Sequence, residues 1–377
     1  MLLEHLTLAN LRNYLSLEFG PAPGVNLLVG ANAQGKSNLL EAIALLGTGK
    51  SFRTTRESEL IRRGAPLASV SGTARVGAAR PIAINLACTI VAGAGGTRKQ
   101  YTLNGEGVRY ASFLGSVKTV TFVPSDLSLV AGSPSLRRTM LNEALSLADS
   151  RYYRHLAAYR KALTQKNALL RGAIPPDPDL LAVYDEGLVR EGTALILARR
   201  HYVAALGEVA SSVHGHWIHG ERLELRYAPN VFSYGAQAVT PTEDAVAAAF
   251  VERLAEQRAA EAARKVSLVG PHRDDLVFTL DGEPLATYGS QGQHRTAVLA
   301  LKVAEYAVLS DRTGEAPILL LDDVFSELDA DRATAFVGAL SGVEQAFITA
   351  TQPPRALKTQ AEETVVWRVE AARLRRC

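Results

Sequence analysis

Cysteine is nearly absent from this sequence. Cys88 and Cys377 are the only two, which excludes a disulfide framework and fits reduced thiols in a cytosolic protein. No set of Cys and His has zinc-site spacing. Long apolar runs are missing too: none approaches the ~20 residues that a membrane span requires. The opening Met1-Leu2-Leu3-Glu4-His5-Leu6 carries an early acid and no basic n-region, so it does not read as a signal peptide. There is no internal repeat and no low-complexity segment. A net charge of +3 argues only weakly for a polyanionic partner. The expectation is a soluble cytoplasmic chain with no membrane association.

What is present is ordinary globular material. Apolar residues make up 47% and charged ones 21%, outside the disordered range. At 377 residues the chain exceeds one common domain, so two lobes with separate cores are expected.

The most informative stretch is Gly30-Ala31-Asn32-Ala33-Gln34-Gly35-Lys36-Ser37, a complete phosphate-loop pattern. An apolar, strand-like run over 25–29 precedes it. A helical pattern from Ser37 to Leu46 follows, with Gly47 as its expected stop. That context separates a working loop from a chance match. Glycines let backbone amides close around phosphate oxygens, and the helix N-terminus adds partial positive charge. In such a loop Lys36 reaches the β- and γ-phosphates and the Ser37 hydroxyl sits on Mg²⁺. ATP and Mg²⁺ are the expected ligands.

Before the loop, residues 2–8 and 15–19 alternate as two short strands. After it, residues 50–64 are basic and expected to be exposed, with Arg53, Arg56, Arg62 and Arg63. Runs over 68–76, 82–91, 99–103 and 117–123 look like strands of an antiparallel sheet, and Asn104-Gly105 is a hairpin signal. Beyond Pro124 the period becomes helical. One helix is expected over 136–171, a break at Pro175-Pro176-Asp177-Pro178, and a second helix over 180–213. Further helices are expected over 242–265 and 291–309, with strands over 266–268, 276–280, 318–321 and 347–350.

Ile318-Leu319-Leu320-Leu321-Asp322-Asp323 is the second chemical signal. A buried parallel strand reads as a continuous apolar run, and one ending in carboxylates delivers them to the strand's C-terminal edge, where phosphate and metal sit. Asp322 is the expected Mg²⁺ ligand, and Asp323 is placed to polarise the attacking water. The third signal is Ser290-Gln291-Gly292-Gln293, a small-residue turn into a helix and a second helix-start anion site. Locally Ser290 is equally well read as an N-cap. One chain needs two such sites only if the second serves a nucleotide held by another subunit.

Segment 131–171 sets eight basic residues, among them Arg137, Arg138, Arg151 and Arg154, against only Glu143 and Asp149, with tyrosines interleaved. As a cluster this suits DNA phosphates without base readout; for any single residue a solvated helix face is the simpler reading. His272 and Arg273 beside Asp274-Asp275 fit a structural turn, near a dimer interface, better than a metal site.

The order of these motifs resembles the ATP-binding-cassette ATPases, in particular the heads of chromosome-maintenance and Rad50-like repair proteins, and within them the RecF family. Asn10-Leu11-Arg12-Asn13-Tyr14, the phosphate loop, Phe122 to Leu127, Gly132 to Arg138, Val269 to Asp275 and Leu320 to Asp329 carry the likeness. It implies an α/β fold: a phosphate-loop ATPase lobe of mixed sheet over 1–124 and 289–377, and an inserted, mainly helical lobe over 125–288, with no long coiled coil. The family's signature falls on Ser290–Gln293 and its D-loop on Ser326–Asp329. The resemblance also implies a weak DNA-stimulated ATPase that dimerises with ATP on DNA, at gaps or single-strand/duplex junctions. It further implies RecO- and RecR-like partners and roles in gap repair, replication restart and the SOS response.

Three departures stand out. Asp323 replaces the usual glutamate and is one methylene shorter, which fits slow hydrolysis. Ser125-Asp126 stands where a Q-loop glutamine would fall, and Phe347-Ile348-Thr349-Ala350-Thr351 lacks the switch histidine. The last two count against the alternative of a transporter's nucleotide-binding subunit. The Ser290 segment and the helical insert disfavour a metabolic kinase.

Overall fold

Two kinds of apolar pattern, alternating and continuous, build two sheets around one helix. The computed structural model describes residues 1–93, 95–172, 177–232, 242–340, 342–357 and 364–377. The chain divides into two compact units, the first comprising 1–127, 213–219 and 295–377, the second 128–212 and 220–294.

The first unit begins with β1 (Leu2–Leu11), β2 (Tyr14–Phe19), β3 (Gly24–Val29) and α1 (Lys36–Thr48). It continues through β4 (Leu67–Val76), β5 (Ile82–Gly93), β6 (Gly96–Leu103), β7 (Glu106–Val108), the short α2 (Tyr110–Phe113) and β8 (Thr119–Phe122). Next come α3 (Pro134–Ala148), α4 (Ser150–Leu170), α5 (Pro178–Trp217), β9 (Leu223–Ala228) and α6 (Glu243–Arg264). They are followed by β10 (Asp275–Leu280), β11 (Glu283–Pro284), α7 (Leu285–Tyr288) and α8 (Gln291–Thr313). The chain ends with β12 (Ile318–Asp322), α9 (Ala330–Ala339), β13 (Gln345–Ala350), β14 (Thr364–Glu370) and β15 (Arg373–Arg376).

Strands β2-β1-β4-β5-β6-β7 form an antiparallel sheet in that order. Its alternation buries Leu3, Leu6 and Leu8 of β1 and Leu86, Cys88 and Ile90 of β5 on one face. A second sheet runs β15-β14-β3-β13-β12-β8, parallel except for β15. Here β12 and β13 are buried at every position, as strands covered on both faces must be. Helix α1 contacts strands of both sheets and is apolar nearly all round for that reason.

The second unit is mainly helical, with a small antiparallel sheet β11-β10-β9. Its core is partly ionic. Asp274, fully buried, accepts hydrogen bonds from Arg199 Nη1 at 3.1 Å, from the Asn230 amide at 2.7 Å and from Tyr227. Lys166 is buried between Asp185 and Glu261, at 2.7 and 2.6 Å. The His272 ring lies between the Tyr159 hydroxyl at 2.6 Å and the Ser267 carbonyl at 3.2 Å. Residues 269–275 are thus a turn held by internal bonds. Among the described residues no helix is long and apolar enough to cross a membrane.

Several expectations are corrected. Gly47 does not stop α1; the helix runs to Thr48 and is capped by Gly49 at φ 63°, where a left-handed residue is needed. Residues 117–123 contribute β8 to the parallel sheet, paired with β12, rather than a strand of the antiparallel one. The helix expected over 136–171 is two helices, broken at Asp149, whose carboxylate caps α4 through the Arg151 amide at 2.8 Å. Residues 266–268 are not a strand: Ser267 and Leu268 bond to Asn167 and to the Glu261 carboxylate instead. Pro175 and Pro176 of the expected break lie outside the described residues.

Candidate nucleotide-binding site

The loop between β3 and α1 is shaped by positions that cannot carry a side chain. A β-carbon on Gly30 would stand 2.2 Å from the Val369 carbonyl oxygen. Gly35 adopts φ 115°, and a β-carbon there would meet Asn13 and Tyr14 at 3.0 Å. Ala33 is also left-handed, at φ 64°, which costs an alanine roughly 1–2 kcal/mol. Such left-handed turns are how a nest presents successive N–H groups to an anion.

Lys36 is buried at the loop's base, its Nζ donating to the carbonyls of Gly30 at 2.6 Å and Ala31 at 2.9 Å. Burial lowers the pKa of its ammonium, while the charges of Asp323 and Asp322 act the other way. Asp322 ends β12 directly beside the loop. Its Oδ1 accepts from the Ser37 hydroxyl at 2.7 Å and from the Thr349 hydroxyl at 2.8 Å. The register of β12 and β13 sets Asp322 against Thr349. Thr349 Oγ1 in turn accepts from the Asp323 amide at 2.8 Å. Asp323 itself turns left-handed, at φ 51°.

A second tier supports the loop from the turn between β1 and β2. The Tyr14 hydroxyl donates to the Gly35 carbonyl and Asn13 Nδ2 to the Gln34 carbonyl, both at 3.2 Å. Asn38 links Asn13 to Arg53, at 2.8 and 2.6 Å. Arg12 grips buried Glu41 of α1 through two bonds, at 2.8 and 2.7 Å. The resulting cleft, about 300 Å³, is lined by Asn13, Asn32, Lys36, Ser37, Arg53, Asp323 and Thr349 among others. Of these, Thr349, Asn13 and Arg53 belong to no nucleotide-binding motif in the sequence. The polar Thr349 inside the buried run Phe347-Ile348-Thr349 is a visible signal, but its partner strand is not.

The remaining candidate positions lie as follows. Asp126 accepts from the Val123 amide at 3.0 Å and pairs with Lys302 at 3.5 Å. Ser290 and Gln293 form a reciprocal capping box at the start of α8, the Gln293 amide bonding Ser290 Oγ at 3.2 Å and the Ser290 amide bonding Gln293 Oε1 at 2.8 Å. Gln291 and Gly292 are the first helical residues. Asp329 caps α9 through the Arg332 amide at 2.9 Å.

Of the four arginines expected on DNA, Arg137 is corrected. Only 6% exposed, it forks onto Asp275 at 2.7 and 2.9 Å and bonds the carbonyls of Leu129 and Gly132 at 2.8 Å. A guanidinium so spent holds the fold together and has nothing left for phosphate. Arg138 donates to the Asp274 carbonyl at 2.7 Å, whereas Arg151 and Arg154 are exposed.

With this geometry described, the relatives are informative. The family model "RecF/RecN/SMC N terminal domain" matches residues 2–372. "DNA replication and repair protein RecF" of Symbiobacterium thermophilum is 42% identical over 354 residues, covering 93% of this chain and 92% of the relative. That of Halalkalibacterium halodurans is 35% identical over the full length of both. Among solved structures, the recombination mediator protein RecF-ATP of the RecFOR pathway matches with TM-score 0.88 and 32% identity, covering 100% of this chain and 97% of that one. An Smc head bound to the C-winged helix domain of ScpA matches at TM-score 0.57 and 14% identity, a likeness of fold. The fold is that of an ATP-binding-cassette-type ATPase head, and the chain belongs to the RecF family of DNA replication and repair proteins.

Proposed function

We propose that this chain is an ATP-dependent DNA-binding recombination mediator in which ATP joins two copies on DNA and slow hydrolysis releases them. The observation that carries this reading is the hydrogen-bonded set Ser37–Asp322–Thr349–Asp323 at the carboxyl ends of the parallel strands, beside the phosphate loop. Gly30, Ala31, Asn32, Ala33, Gln34 and Gly35 wrap the triphosphate, and Lys36 exchanges its carbonyl partners for β- and γ-phosphate oxygens. Ser37 and Asp322 supply the hard oxygens that suit Mg²⁺, whose charge would offset that of the phosphates. Asp323 orients the attacking water, and its short side chain fits a weak, DNA-stimulated ATPase. The lack of a glutamine at Ser125-Asp126 and of a histidine within Phe347-Ile348-Thr349-Ala350-Thr351 favours this reading over a transporter subunit.

In the dimer, Ser290, Gln291, Gly292 and Gln293 of one copy face the γ-phosphate held by Lys36 of the other, across an isologous interface. ADP lacks that phosphate and cannot bridge the copies, which is the differential contact a nucleotide switch requires. Lobe I (1–124 and 289–377) is the ATPase lobe and 125–288 the insert. DNA at gaps or junctions is met through the exposed Arg151 and Arg154 and the half-buried Arg138. RecO- and RecR-like partners, gap repair, replication restart, the SOS response and a cytoplasmic location complete the reading. Sedimentation of Asp323→Asn with ATP and with ADP tests it: ATP should double the mass, ADP should not, and Ser290→Arg should stay monomeric while binding ATP. Equal mass in both nucleotides would end the clamp reading.

A further inference from the structure

The last two strands carry charge that the fold does not use. The register of β14 and β15 sets Arg368 opposite Arg375, Glu370 opposite Arg373 and Trp367 opposite Arg376. Directly opposed residues share a face, so the ribbon divides in two. One face turns Val369 into the core, with Leu374 and Trp367 packed against it and Trp367 edge-on to Phe19 at 4.9 Å. The other presents Arg368, Glu370, Arg373 and Arg375, all exposed. Like charges set opposite one another cost stability. Among the described residues Glu370 reaches only Arg368, at 4.0 Å. Arg373, Arg375 and Arg376 have no ion pair among the described residues.

We propose that this arginine face binds the phosphate backbone of DNA, separately from α4; the inference rests on the DNA-binding reading given above. A protein partner would need an apolar or aromatic anchor to bury, and the exposed face has none. Guanidinium forks without such an anchor match phosphate oxygens. The ribbon is also tied to the nucleotide cleft. Its turn, Ala371 and Ala372 at φ 47° and 60°, gives both amides to Gln34 of the phosphate loop. The Ala371 amide bonds Gln34 Oε1 at 2.7 Å and the Ala372 amide bonds the Gln34 carbonyl at 3.0 Å. Val369 meanwhile packs its carbonyl where any side chain on Gly30 would stand.

The test uses the full chain and a short fluorescein-labelled duplex, with affinity read by anisotropy across a salt series. In Arg368→Gln/Arg373→Gln/Arg375→Gln the log–log salt slope should fall by about 2.7, roughly 0.9 per lost phosphate contact. ATP binding should match the parent, the melting temperature should equal or exceed it because opposed like charges are removed, and the triple Lys variant should keep most of the slope. Should the triple variant unfold, Arg375→Gln alone should lower the slope by about 0.9. A parent that binds duplex beside variants with an unchanged slope overturns this inference and leaves the proposed function standing. A parent that binds no DNA overturns both.

Discussion

Thr349→Val removes one hydroxyl from the cleft and little else in volume. That hydroxyl donates to Asp322 Oδ1 and accepts from the Asp323 amide, each at 2.8 Å. A hydrogen bond to a charged acceptor contributes about 1.5–3 kcal/mol, and an amide left unpaired costs about 1–3 kcal/mol. With partial relaxation the variant should lose roughly 2–4 kcal/mol of stability. The larger consequence is kinetic. Asp323 sits left-handed, at φ 51°, and the bond from its amide to Thr349 is one of the contacts that hold it there. Once that bond is gone, displacement of the carboxylate by about 1 Å should slow hydrolysis by ~10–100-fold. Lys36 and the loop glycines are untouched, so ATP affinity should change little. Thr349→Ser keeps the hydroxyl and should stay near the parent. Single-turnover hydrolysis, equilibrium ATP binding and chemical denaturation read the three effects separately. A valine variant with the parent's single-turnover rate would refute the positioning argument.

Other consequences can be checked with equally small changes. Asp323→Asn should bind ATP and nearly stop turning over, whereas Asp322→Asn, which keeps an oxygen for Ser37 and Thr349 but loses the carboxylate charge, should weaken Mg²⁺-dependent binding; a Mg²⁺ titration of ATP affinity separates them. Arg137→Ala should destabilise the second unit by about 3 kcal/mol, because it strands Asp275 and the carbonyls around it; urea melts at matched DNA affinity would show a structural role, and an unchanged melt would contradict it. Burial, aided by Arg273 and Arg138, lowers the His272 pKa from 6.5 to about 4. The unfolded chain therefore binds more protons between those values, and stability should fall as pH drops through that window, by at most ~3 kcal/mol. His272→Gln should flatten the dependence, and a parent whose stability is level from neutral pH down to about 4 would contradict the assignment.

How much of this was legible beforehand depends on the reach of each interaction. The phosphate loop is contiguous, so strand, glycines and helix start announce one another. Asn104-Gly105 turns β6 into β7 because both residues take left-handed angles, φ 50° and 84°. Thr242 starts α6 with its hydroxyl, which accepts from the Ala245 amide at 3.2 Å, and Lys265 ends it in a left-handed conformation, φ 55°. The basic run 131–171 shows the limit: composition cannot tell Arg137, folded onto Asp275, from Arg151, open to solvent. The capping box at Ser290 likewise fits both readings the sequence offered, since an N-cap and an anion site use the same helix start.

The sequence alone determined the local chemistry: a phosphate loop opening a helix, a strand ending in two carboxylates, and a helix start at Ser290. Tertiary structure alone decided which distant groups complete the cleft. Thr349 meets Asp322 only because β13 pairs in parallel with β12. Asn13 reaches Gln34 only because the β1–β2 turn packs under the loop. The C-terminal ribbon lies on the phosphate loop only because β14 pairs with β3. The physical reason is pairing register. A strand's own residues state how it is buried, but its neighbour is chosen by the packing of the whole sheet.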